Sequence, residues 1–131
     1  MTIFDPRTIT TPAYEALSGL RYQHSGNDPR LKEQKNQAME LYTYLSTWGL
    51  MRLKAEENAL SQDGKKEVVR KYFQQLQVLS GVQNLAGNQG LNTLKDLSGD
   101  DYLGLTGLGL ELAKEFGFWA NAVYWDITGD N

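Results

Sequence analysis

The chain predicts an all-α fold, a compact bundle of four to five helices with two long ones, and three observations carry that expectation. Proline follows a capping side chain at Thr11-Pro12 and Asp28-Pro29, placing its missing N–H where a helix start does not need one. Apolar residues recur at the 3.6-residue period in the segments that follow. No stretch sustains the apolar–polar alternation of a strand; even "NAVYWDIT" keeps the helical period through Trp119, Ala122, Val123 and Asp126. With 131 residues, a single domain over 1–131 is expected, less regular over 1–28 and helical over 29–126.

The first helix is expected over residues 12–22, ended by the turn-like "HSGND". His24, the only histidine, reads there as an exposed turn residue, and one imidazole cannot assemble a metal site without two further ligands. The second helix is expected to run unbroken from Pro29 to Ser61. It sets Ala38, Leu41, Leu45 and Trp48 on one face, with Tyr42, Gly49 and Leu53 beside them. "SQDGKK" interrupts it, with Gly64 suited to a left-handed turn and Asp63 able to cap. A third helix over 64–80 turns Val69, Tyr72, Phe73, Leu76 and Leu79 inward and Lys66, Arg70, Gln74 and Gln77 outward. A loop or frayed helix then leads to a short helix near 90–97. Ser98 and Asp101 form a capping pair for the last helix, expected over 99–126.

That last helix carries Leu105, Leu108, Leu112, Phe116, Trp119 and Val123 on one seam. Leu103, Leu110, Ala113, Gly117, Ala120 and Tyr124 lie on a second. A helix apolar on most of its circumference belongs at the centre of a bundle or between a bundle and a partner. Its glycines admit two readings. They let helix backbones approach closely inside the fold, or Gly104 and Gly107 leave a shallow groove for a partner, with Tyr124 and Trp125 as anchors.

Composition narrows the chemistry. Without cysteine there is no disulfide, thiolate nucleophile or cysteine metal site. The first twenty residues lack the pattern of a secretion signal, and the uncharged stretch from Tyr72 to Leu94 is too rich in Gln, Asn and Gly to span a membrane, so a cytoplasmic location is expected. Asp100 and Asp101 sit where a helix dipole favours carboxylates, and Glu56 and Glu57 read as a solvated helix end. No serine has a partner base beyond His24, and "LAGNQGLNTL" lacks the Gly-Lys-Ser/Thr ending of a phosphate loop. A non-enzymatic chain without cofactor or small-molecule substrate is expected.

Charge points to binding. The formal charge is −3, yet residues 30–71 hold nine Lys/Arg against six Asp/Glu, and residues 95–131 hold two against seven. Arg52, Lys54, Lys65, Lys66, Arg70 and Lys71 would form a basic edge if the second and third helices make a hairpin, with Gln74, Gln75 and Gln77 adding sequence-neutral hydrogen bonds. A solvated surface, partly neutralised by Glu56, Glu57 and Glu67, accounts for the same residues.

The segments "MELYTYLSTWGLMRLK", "KKEVVRKYFQQLQVL" and "LELAKEFGFWANAVYW" together resemble the small-subunit family of CRISPR effector complexes, type I or type III, over most of residues 30–126. The resemblance implies a non-catalytic subunit that stacks in several copies along the guide-RNA filament. It further implies contacts with larger effector subunits and a basic surface that steadies the target or displaced strand. An acidic overall balance departs from that pattern. The competing expectation is a helical adaptor or regulator without a nucleic-acid role.

Overall fold

The computed structural model describes residues 5–128, and among them lie six helices and no strand. They are α1 (Arg7–Tyr22), α2 (Pro29–Trp48), α3 (Leu50–Ala59), α4 (Asp63–Ser80), α5 (Gly90–Asp96) and α6 (Gly99–Val123). The all-α expectation holds, with six helices in place of four to five.

The sixth helix arises at Gly49. Its φ of +88° ends α2 and redirects the chain, so the long helix expected over 29–61 is two helices meeting at a bend. The break is supported from across the bundle, where the Tyr102 hydroxyl accepts a hydrogen bond from the Met51 N–H (3.2 Å) at the start of α3. Tyr44 on α2 donates to Glu56 on α3 (3.2 Å), so Glu56 is part of the α2–α3 packing rather than a solvated end.

The N-terminal segment is more regular than expected. α1 starts at Arg7, five residues before Pro12, which lies inside the helix. The start is Asp5-Pro6, a third instance of the Asp/Thr-Pro pattern, with the Asp5 carboxylate accepting from the Arg7 N–H (3.0 Å). The Asp28 cap on the Arg30 N–H (2.9 Å) and the Ser98 cap on the Asp101 N–H (3.1 Å) stand as expected.

α6 organises the bundle. It runs antiparallel to α2, with Tyr102 against Gly49 at one end and Tyr124 against Gln34 at the other. α1 runs parallel to it, joined by Thr10–Glu115, Tyr14–Trp119 and Arg21–Asp126. Its buried side forms one stripe through Leu105, Gly109, Leu112, Ala113, Phe116 and Ala120, drawn from both expected seams, whereas Leu103 is exposed. The close backbone approach expected of the α6 glycines occurs at Gly109. Tyr72 donates to the Gly109 carbonyl (2.7 Å), and a Cβ there would stand 2.7 Å from that hydroxyl. Gly64 has no left-handed turn to make; it sits in α4 because a Cβ would lie 2.5 Å from the Arg30 carbonyl and 2.7 Å from the Glu33 Cβ.

A polar line crosses the core. The Tyr124 hydroxyl donates to Gln34 Oε1 (2.6 Å), Gln34 Nε2 donates to Glu67 (3.3 Å), and Glu67 meets His24 Nε2 (3.3 Å). His24 Nδ1 lies 3.3 Å from Asp28, so this histidine is a clasp between the α1–α2 turn and α4, with its side chain 11% exposed, and not the exposed turn residue expected. Burial pushes the phenols of Tyr72 and Tyr124 well above the usual tyrosine range.

Candidate functional site

The basic edge is assembled by α3 and α4, and their packing breaks it up. Position 54 faces α4, so Lys54 is only 4% exposed, paired with Glu57 (2.8 Å) and lying 5.0 Å from the Phe73 ring centroid. Lys54 is therefore withdrawn from any strand-binding surface, and Glu57 is its half-buried counter-ion rather than a solvated end group. Lys54 meets the middle of α4, which leaves Arg52 away from the first turns of that helix; it stacks over Trp48 instead, 4.7 Å from the ring centroid. Lys65 and Arg70 point about 140° apart around the α4 axis.

Two of the six expected cations do gather. Lys66 and Arg70, one turn apart, line a shallow depression together with Arg30 from the start of α2. Arg30 was absent from the expected set, because only the side-by-side packing of the α2 and α4 starts brings it there. Asp63 and Glu67 share the depression, and Arg30 lies 3.8 Å from Asp63. The site holds three cations and two carboxylates, close to neutral for a polyanion. Lys71 remains at the half-buried flank of α4. Gln77 is committed elsewhere, accepting from the Leu85 and Ala86 N–H groups (2.9 and 3.0 Å).

The expected partner site also divides. Tyr124 is fully buried, its hydroxyl held by Gln34 Oε1 and the Leu17 carbonyl, so it anchors the core and cannot anchor a partner. Trp125, next in sequence, is 77% exposed. Gly104 and Gly107 are open, with nothing within 4 Å of a Cβ built on either, but they lie near the start of α6 whereas Trp125 lies beyond its end.

Around Trp125 the structure assembles an aromatic face that the sequence reading assigned partly to core. Phe118 is 63% exposed and Tyr22 84% exposed. Trp119 stacks edge-on against both Tyr14 (5.1 Å) and Phe118 (5.0 Å) between α1 and α6, and its buried indole N–H has no acceptor among the described residues. A depression of about 280 Å³ lies beside them, lined by Tyr14, Arg21, Tyr22, Val123 and Trp125. Arg21 fixes its floor by donating to the Val123 carbonyl (2.5 Å) and to both Asp126 oxygens (2.5 and 2.7 Å), and this guanidinium holds the Asp126 carboxyl below the usual carboxylate range.

No protein-family model, curated protein or solved structure matches the chain.

Among the described residues no group of three or more His, Cys, Asp or Glu side chains is placed to hold a metal ion. The two carboxylates at His24 meet different ring nitrogens, on different sides of the imidazole, and do not converge on one point. No described helix is long and apolar enough to cross a membrane.

Proposed function

We propose that this chain is a non-catalytic small subunit of a CRISPR ribonucleoprotein effector complex of the cytoplasm. Its aromatic face on α1 and α6 docks against larger subunits or further copies of the chain, and Lys66, Arg70 and Arg30 lie toward the target or displaced strand. The observation that carries the docking role is the exposure of Tyr22 and Trp125 around one depression, with exposed Phe118 joined to its Tyr14 edge through Trp119. Aromatic residues on a surface are the usual anchors of protein interfaces, and scattered single ones would need no such account. The effector complex itself rests on the resemblance of the three segments described above. Strand contact from so few cations is weak in one copy, and several copies in register raise it by avidity.

The test has two arms. Phe118→Ala with Trp125→Ala should release the chain from its co-purified partner complex, at least tenfold in retained amount, with thermal unfolding unchanged. Lys66→Glu with Arg70→Glu should weaken binding of a single-stranded oligonucleotide at low salt while leaving that partner complex intact. Unchanged oligonucleotide binding would remove α4 from the strand surface. A second reading, an adaptor without nucleic-acid contact, is favoured by one observation, the interleaving of Asp63 and Glu67 with the cations. It predicts loss in the first arm only, with no salt-dependent oligonucleotide binding by the unaltered chain.

A further inference from the structure

We propose that a groove at the start of α6 is the docking site for an amphipathic helix of a partner protein, one whose apolar ridge is flanked by lysine or arginine. The groove has a volume of about 470 Å³ between the end of α4, the turn from α5 to α6 and the start of α6, with Leu79, Val82, Leu97, Leu105 and Leu108 around Gly104. Apart from Leu105, these leucines and the valine rest on the core by one side and are open on the other. Residues 101, 104, 105 and 108 share one face of α6 at the spacing i, i+3, i+4, i+7, so the groove follows that helix for about 10 Å, or two turns. This is the footprint a second helix presses into.

Gly104 fits that occupant and nothing inside the chain. At Gly109 a Cβ would strike the Tyr72 hydroxyl, whereas at Gly104 it would meet nothing within 4 Å. Glycine weakens a helix interior relative to alanine, and here the fold itself draws no packing in return. A bare backbone at the groove's centre lets another helix come to the short end of the usual 8–10 Å interaxial distance.

Charge chooses the occupant's sign. Asp100 and Asp101 stand exposed beside the groove and pair with no cation among the described residues. Across residues 79–108 the chain carries one lysine against three aspartates, and that lysine, Lys95, lies 3.9 Å from Asp96. A nucleic-acid backbone is repelled from such a surface, and a helix with cationic flanks is attracted to it. This docking site is distinct from the aromatic face and from the α4 cations, so it stands or falls separately from the function proposed above.

The test uses the full chain and a fluorescein-labelled 18-residue peptide of leucine and lysine, with leucines at the i, i+3, i+4, i+7 spacing, read by fluorescence anisotropy. A counterpart with glutamate in place of lysine serves as the charge control. The lysine peptide should bind and the glutamate peptide should not. Gly104→Leu, which fills the groove, should weaken binding at least tenfold without lowering the melting temperature. The exposed pair Asp100→Lys with Asp101→Lys should weaken it by a similar factor, and keeps the test open if the leucine variant folds poorly. Binding by both variants as tight as by the unaltered chain, or equal binding of the two peptides, overturns the proposal. So does concentration-dependent self-association in sedimentation velocity that Gly104→Leu abolishes, since the occupant would then be a second copy.

Discussion

Gly64 and Gly104 stand in helices two elements apart and answer to different neighbours. A methyl at Gly64 would run into the Arg30 carbonyl and the Glu33 Cβ, so Gly64→Ala should lower stability by about 2 kcal/mol, visible as a fall in the denaturation midpoint. Gly104→Ala meets open space and should raise stability by up to about 1 kcal/mol. Lys54 shows the same dependence on surroundings. Lys54→Ala leaves Glu57 half-buried without its partner and should destabilise the fold by about 3 kcal/mol, measurable by urea unfolding. Tyr124→Phe removes the donor to Gln34 Oε1, which has no access to water, and should cost about 1–3 kcal/mol in the same measurement. Only part of this was legible beforehand, since the sequence left Tyr124 between a core seam and a partner anchor, Gly104 between close packing and an open groove, and read Lys54 as an exposed cation. Lysine at a hairpin and tyrosine at a helix end look alike in sequence whether they face solvent or core, and only tertiary packing decides.

At the scale of elements, caps were legible and continuity was not. Asp28 and Ser98 announce α2 and α6 because a cap is a local interaction, complete within four residues. The break at Gly49 depends on Tyr102, 53 positions away, so the apolar period runs through it unmarked. The end of α6 is likewise held from afar, by Arg21 of α1 on Asp126. Because the folded Asp126 titrates below its ordinary value of 3.8, this tether is fully present above that value and is lost as pH falls through the lowered one. The emission of the adjacent Trp125 should therefore change only in acid below about pH 3.8, with the melting temperature falling in the same window. Arg21→Ala should abolish that transition.

For the molecule as a whole, the fold class was readable and the surface only in part. Periodicity reports which residues turn inward on each helix, and that sufficed for an all-α bundle. It does not report which outward faces adjoin. The cations expected on one edge disperse because α3 packs Lys54 against Phe73, while Arg30 joins Lys66 and Arg70 from a different helix. Part of the aromatic face, Trp119 and Val123, was counted as core because both keep the helical period, although they lie where α1 and α6 meet solvent. The oligonucleotide and co-purification tests above belong to this scale, since each reads a surface made by more than one element.

The parallel pairing of α1 with α6 bears on how the chain is made. Thr10 waits for Glu115, and Gln34 for Tyr124, so α1 and α2, once out of a ribosome, keep the part of their apolar sides that α4 does not cover exposed until α6 has emerged. A nascent chain stalled before residue 99 should accordingly be sticky and sensitive to protease, and the core should close late, in one cooperative event, when α6 arrives.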